Sequence, residues 1–442
     1  VSKSLAGGAA EKAGVQDYIM ASRFFGAFMP QPSSPLFFSK SSLPVQAELI
    51  FAADWAPIRD FAQPLKSRPE SVYGDLLALL RSADLRLLNL EASLYGGSPA
   101  VKSGSVFHGE PEHVAALKAV PFEVVTLANN HGFDSGMAAF QKTCALLKKN
   151  GIAYLGAGAN AEEAAQELQM QLKGLRLAIF NFCEAEDESG AGPNRPGVNG
   201  WNVQEVAQRI RSIRSKQDFI VVIAHCGLEY IPFPPPYVYE AFNLLAEAGA
   251  DLVLGHHPHV PQGMQVRQGT PICYSQGNFV FYQETKLKFR KLGYLAKAGI
   301  GREGLHRLEL IPYQIEPEQL RRLSPSEELE FADCFKQLSK PLQDSGEVNE
   351  AWQAFLAYHG QEGFQEELGR ILQAWQTQPG KGAAMLRNRL LTPQHYWHWH
   401  DGLQRLLNPD APEPKAEYLE MLRRFFQEEI KPKSSKGAWA PE

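Results

Sequence analysis

This chain has few means of cross-linking itself and no excess of basic charge. Its 442 residues include five cysteines, Cys144, Cys183, Cys226, Cys273 and Cys334, an odd number without CxxC spacing or clustering. That excludes a disulfide framework and a thiolate zinc site. Cys144, Cys183 and Cys273 lie in apolar segments, where a thiol packs as a small hydrophobe. An excess of basic charge is missing too. Lys and Arg number 44 against 49 Asp and Glu, a net charge of −5, so no nucleic-acid partner is expected. No apolar run approaches the ~20 residues that span a bilayer, and no basic stretch leads into an apolar one near the start, as in a signal peptide. A soluble protein is expected, cytoplasmic by the absence of such a signal. The chain begins at Val1 rather than methionine, so an extracytoplasmic location is expected instead if an upstream segment is missing.

What is present falls into three parts. Residues 1–46 pass through a small-residue stretch and the run Pro30-Gln31-Pro32-Ser33-Ser34-Pro35, which predicts an irregular arm. From about 47 to 316, short apolar runs alternate with segments of helical periodicity such as 136–149 and 237–248. Strands are predicted at 48–53, 84–90, 122–128, 152–156, 175–182, 218–224, 250–254, 271–275 and 303–315. Several, such as Phe219 to Ala224, are apolar throughout, as strands covered on both faces are. The fold class is α/β. Beyond Glu316 the strand pattern stops. Ser324-Pro325-Ser326-Glu327 reads as a helix start. Trp352, Phe355, Leu356 and His359 share one helix face. Residues 317–442 are therefore expected to form a helical extension, ending in a polar tail.

Polar residues close successive apolar runs. Asp54 follows Leu49 to Ala53; Glu91 closes Leu87 to Leu90; Asn129-Asn130-His131 follows Val124 to Ala128. His225 ends Ile220 to Ala224 with Glu229 shortly after, and Gly255-His256-His257-Pro258-His259 follows Ala250 to Leu254. In open α/β sheets, ligands gather beyond the carboxyl ends of the strands. Read singly, each residue is a cap, a surface charge or a solvated histidine; together they offer a mixed oxygen and nitrogen set that suits Mn, Fe or Zn and has room for two ions. A residue before proline is held extended, so His257 and His259 are expected to project together, with His256 opposite. Asn130 offers an amide oxygen, while His131 is free to face a substrate and Asp134 can orient its imidazole.

The set Asp54, Asn89-Leu90-Glu91, Ala128-Asn129-Asn130-His131 with Asp134 and Gly136, His225-Cys226-Gly227-Leu228-Glu229-Tyr230, Gly255 to Val260 and Tyr274-Ser275-Gln276-Gly277-Asn278-Phe279 resembles the capsule biosynthesis family of CapA type, associated with poly-γ-glutamate synthesis, a branch of the calcineurin-like metallophosphoesterases. The resemblance covers about 48–316. It implies a four-layer αββα sandwich with a dinuclear metal centre at the strand ends. Asp54, Glu91, Asn130, His225, His257 and His259 then match the metal-binding positions and His131, with Asp134, the catalytic ones; Glu229, His256 and Asn278 fall around them as substrate-contacting or supporting residues. The chain departs from the superfamily pattern at Ala56, where Asp-x-His would place a histidine, at Glu91, where Gly-Asp is usual, and at Cys226, where the capsule family often has tryptophan. The first metal position thus loses a ligand, for which Glu229 is the candidate replacement.

The function implied is metal-dependent hydrolysis of a phosphate ester by activated water, on a phosphorylated small molecule or an anionic polymer, in the company of capsule-synthesis machinery. The alternative is a non-catalytic or amide-hydrolysing accessory in the synthesis or export of an anionic polymer such as poly-γ-glutamate. Two further motifs are given structural roles. Gly156-Ala157-Gly158-Ala159-Asn160-Ala161 has GxGxxA form, but no acidic residue stands at the ~20-residue distance a dinucleotide site needs, so a tight strand-to-helix turn is expected. His395-Tyr396-Trp397-His398-Trp399-His400 is expected to be an aromatic face docked on the catalytic domain.

Overall fold

The computed structural model describes residues 34–40 and 42–430. Most of the expected arm and the polar tail lie outside the described residues. Two sheets stack face to face. The first runs in the order Phe37–Ser39, Gly304–Glu316, Leu292–Gly301, Ala47–Trp55, Leu85–Leu90, Val124–Thr126, Ala153–Leu155, with Gln319–Arg322 pairing at its edge. Its last four strands are parallel. The second runs Met264–Arg267, Thr270–Cys273, Leu252–His256, Phe219–His225, Leu175–Cys183, Leu168–Leu172, with parallel strands at its centre.

Alternation of side chains along each strand divides the core into layers. Leu49, Phe51, Leu87, Ile179, Val221 and Leu254 fill the space between the sheets. Ile50, Ala52, Leu88 and Val125 point the other way, onto Phe61, Leu65, Phe140 and Leu147 of the outer helices. Ala178, Phe180, Ile220 and Val222 meet Val206, Ile210, Phe242 and Leu245 on the far side. The result is the expected four-layer α/β sandwich with helices on both outer faces.

Several strands had no counterpart in the sequence reading. Leu292–Gly301 carries three glycines and a lysine, a composition poor for strands, yet it lies inside the first sheet between Gly304–Glu316 and Ala47–Trp55. Leu168–Leu172 alternates apolar and polar side chains and turns through Lys173 and Gly174, both at positive φ, into the next strand. Met264–Arg267 is a short, partly exposed edge. Part of the expected irregular arm also pairs, as Phe37–Ser39, with Gly304–Glu316. The helical extension begins at Pro325 rather than 317, because a turn at Glu318, with positive φ, returns the chain as the edge strand Gln319–Arg322.

The extension consists of Pro325–Ser339, Ser345–Thr377, Pro379–Leu391, Pro393–Leu407 and Ala416–Gln427. The first has the capping box its sequence predicts: Ser324 Oγ accepts from the Glu327 N–H, and the Ser324 N–H donates to Glu327 Oε2 at 2.7 Å. Gly360 breaks the second into two segments. Trp352, Phe355 and Leu356, with Tyr418, Leu422 and Phe425, join the same apolar cluster as Ile231, Phe233 and Phe289 of the sandwich. The extension and the sandwich thus share a core. Among the described residues no helix is long and apolar enough to cross a membrane.

The aromatic run within Pro393–Leu407 is arranged otherwise than expected. His398 packs against Trp352, Phe355, His359 and Phe364, and Trp399 Nε1 donates to Glu367 Oε2 at 2.9 Å, all within the extension. Tyr396 and Trp397 are exposed. Helical periodicity turns Gln394 and His395 toward the sandwich, and His398 lines the cavity between the extension and the sandwich.

Candidate metal centre

The carboxyl ends of parallel strands from both sheets meet at one place. Ala47–Trp55 brings Asp54, the turn after Leu85–Leu90 brings Glu91, and the turn after Val124–Thr126 brings Asn130 and His131. From the second sheet come His225, at the end of its strand, and His257 and His259, just past theirs. Asp54, Glu91, His225, His257 and His259 are at most 3% exposed. Their ligand-type atoms form two groups, Asp54 with Glu91 and His225, and Glu91 with His257 and His259, each within 4.8 Å. Glu91 belongs to both.

Glu91 is the most telling member. Both its carboxylate oxygens are buried and have no hydrogen-bond partner. Around Oε1 stand His225 Nε2 at 3.5 Å, His259 Nε2 at 3.9 Å and His131 Nε2 at 4.0 Å. A carboxylate left without donors in such a place costs several kcal/mol of desolvation unless something neutralises it, roughly 1–3 kcal/mol even for a neutral group. Hard oxygen and imidazole donors converging on an unpartnered buried carboxylate fit a divalent cation. Burial first, then the neighbouring charge of Asp54, pushes the Glu91 pKa well up. Burial pulls His259 down, but Glu91 and Asp54 outweigh it and carry its pKa up to about 10. A cation bound among these groups would compete with protons for the same lone pairs.

Other contacts orient the donors. Asn89 Nδ2 donates to Asp54 Oδ1 at 2.8 Å, and His259 Nδ1 lies 2.8 Å from Asn278 Oδ1, which leaves Nε2 turned toward Glu91. Burial would raise the Asp54 pKa, but its contact with His259 and the charges of His256 and His225 hold it below the ordinary carboxylate range. Asn130 Oδ1 is 3.0 Å from His225 Nε2. His257 and His259 reach the centre together, but by a different backbone path from the one their sequence suggested. Both have positive φ, 96° and 56°, so the chain turns rather than extends between them. His256 is buried rather than solvent-facing, with Nδ1 3.7 Å from Asp54 Oδ1 and Nε2 3.1 Å from Gln276 Oε1; it flanks Asp54 without belonging to either ligand group. Glu229 lies outside both groups and is exposed at the adjoining cavity.

His131 and Asp134 form a pair, Nδ1 to Oδ2 at 2.6 Å, with the imidazole stacked on Phe107 at 4.2 Å between ring centres. Lys102 was not visible as a site residue in the sequence, since it lies in a polar loop without a motif. Its Nζ donates to Asp134 Oδ1 at 2.7 Å and to the Asn130 carbonyl at 2.8 Å. Burial, then the Lys102 charge, bring the His131 pKa down to about 4 against the pull of Asp134. The ring is therefore neutral near pH 7, with Nδ1–H assigned to Asp134 and the Nε2 lone pair toward Glu91.

A cavity of about 480 Å³ opens beside the centre. Lys102, Asn130, His131, Glu229 and His259 line it from the sandwich; Phe355, His359, Arg389, Gln394 and His395 line it from the extension. Glu186 and Gln394, also unforeseen, approach His257 from this side. The GxGxxA segment stands apart as a turn: Gly156 has φ 87°, and Asn160 caps the short helix Ala161–Ala164.

Residues 48–283 match the family described as bacterial capsule synthesis protein PGA_cap. Among similar proteins, the PGA biosynthesis protein CapA of Bacillus subtilis is 33% identical over 196 residues, covering 43% of this chain and 52% of that protein. This match thus spans about half the length of that relative. The capsule biosynthesis protein CapA of Bacillus anthracis is 28% identical, covering 54% of this chain and 67% of that one. A probable polyglutamine synthesis accessory protein of Mycobacterium tuberculosis is 27% identical, covering 61% and 76%. Among solved structures, a 5'-nucleotidase precursor from Thermus thermophilus overlays with a TM-score of 0.40 at 14% identity, covering 65% of this chain and 57% of that one.

Proposed function

The chain belongs to the bacterial capsule synthesis protein family PGA_cap, and from that premise we propose that it is a metal-dependent hydrolase acting on a phosphate ester or a related anionic substrate of capsule-polymer metabolism. The unpartnered Glu91 carboxylate, ringed by imidazoles, is the observation that carries this reading. Asp54, Glu91, Asn130, His225, His257 and His259 would hold two divalent ions, Mn, Fe or Zn by their donor types. When bound, such ions supply Lewis acidity toward water and toward an anionic oxygen of the substrate.

The protein's own groups do the rest. His131 offers Nε2 toward the cavity side of Glu91, where it would take a proton from the attacking water and deliver it to the leaving oxygen of the substrate; Asp134 stabilises the imidazolium formed in between and fixes its orientation. Lys102 holds Asp134 in place and opposes early protonation of His131. Phe107 covers one face of the ring and limits water access.

Manganese-loaded protein should hydrolyse a generic aryl phosphate monoester or diester, and His131→Ala should lose turnover by about 10²–10⁴-fold while keeping its metal. Metal content by elemental analysis should fall from two ions per chain in the wild type to one or none in His257→Ala. Loaded protein inert on both esters and on anionic polymers would refute the hydrolase reading. One observation favours a second reading. Buried Ala56 stands near the centre without a donor atom, which suits an accessory that uses its metal to anchor polymer carboxylates, or an amide hydrolase built on the same groups. For a pure binder, His131→Ala would leave polymer affinity nearly unchanged.

A further inference from the structure

The two nitrogens of His257 face different neighbours. Nδ1 lies 3.1 Å from His225 Nε2, on the side of the metal-ligand groups. Nε2 lies 3.5 Å from Glu186 Oε1 and 3.4 Å from Gln394 Nε2. Gln394 is only 1% exposed and donates from Nε2 to Glu186 Oε1 at 2.7 Å. Its own Oε1 is buried without a partner. A carboxylate on the outer nitrogen of a ligating histidine fixes the tautomer and strengthens the inner nitrogen as a donor.

The backbone at Glu186 is held under strain. Ala185, Asp187 and Glu188 all have positive φ, from 53° to 58°. Non-glycine residues in this region cost on the order of 1–3 kcal/mol each and persist where surrounding contacts impose them. The contacts come from the helical extension. Asn388 Oδ1 accepts from the Asp187 N–H at 3.1 Å, and Asn388 Nδ2 donates to Ser103 Oγ at 2.8 Å. Arg387 pairs with Glu188 at 3.1 Å. The same extension therefore holds the loop that carries Lys102 and the loop that carries Glu186.

We propose that Glu186, held by Gln394 of the helical extension, is the positioning residue of His257, fixing which imidazole nitrogen is offered to the metal and strengthening it as a ligand. The inference rests on the metal-centre reading above. It makes the extension, which lies outside the family match, a working part of the site.

Calorimetric titration of the metal-stripped full chain with Mn²⁺ tests it. Glu186→Gln keeps the shape of the side chain and removes its charge; it should weaken binding by about 10–100-fold. Gln394→Leu should shift affinity in the same direction, and provides a second route should Glu186→Gln fold poorly. The thermal midpoint of each variant in chelator should stay near that of the wild type, as a merely structural role would not allow. If wild type binds Mn²⁺ and both variants bind it equally well, the inference falls and the metal centre stands. If wild type binds no divalent ion, both fall.

Discussion

Glu91 is a residue whose presence makes sense only with a partner. Without an ion its buried carboxylate, flanked by Asp54, weakens the fold. Glu91→Gln should therefore stabilise the chelator-treated protein by roughly 1–3 kcal/mol and abolish the stabilisation that added metal gives the wild type. Urea unfolding with and without Mn²⁺ would show the two effects with opposite signs; a variant destabilised in chelator would mean that the carboxylate is satisfied by the protein itself. Single residues also mark the limit of the sequence reading. Asp54, Glu91, His131 and the paired histidines announced themselves by standing at the ends of apolar runs. Lys102, Glu186 and Gln394 did not, because each lies in a segment without periodicity or motif and reaches the centre only through tertiary folding. Gln394 is separated by 137 residues from the histidine it approaches.

At the scale of elements, the buried parallel strands were legible because unbroken apolar runs have few other places to go. Leu292–Gly301 was not, since its glycines are explained only by what packs over them: a Cβ at Gly293 would stand 2.3 Å from the Asn278 carbonyl oxygen. Gly255 has the same character at the site. A methyl there would stand 1.9 Å from the Tyr274 carbonyl oxygen, in the strand that leads to the histidines. Gly255→Ala should cost roughly 1–3 kcal/mol or more, read as a lower urea midpoint, together with weaker metal binding. The start of Pro325–Ser339 gives a pH-dependent prediction. The Arg321 contact brings the Glu327 pKa from 4.5 down to about 2, so its contribution is whole above pH 4.5 and fades as pH falls through about 2. Glu327→Gln should lower stability at neutral pH and narrow its gap to the wild type on acidification, followed by circular dichroism melts. Ser324→Ala should cost about 1 kcal/mol.

For the whole molecule, candidate ligands drawn from two sheets would make metal binding and folding interdependent. An ion present at about 100 times its dissociation constant adds about 2.7 kcal/mol to the native state, so chelation should lower the melting temperature by several degrees in scanning calorimetry. The shared core of sandwich and extension predicts one cooperative transition rather than two. The buried cysteines offer a way to watch it. All five thiols are free and covered, with Cys144 on the buried face of the outer helix Met137–Lys149, Cys183, Cys226 and Cys273 around the second sheet, and Cys334 in the extension. A thiol-reactive dye can label the protein only where it opens. The order in which Cys334 and the sheet cysteines become modified in rising denaturant would read out, from the native sequence and without engineered cysteines, which layer of the molecule lets go first.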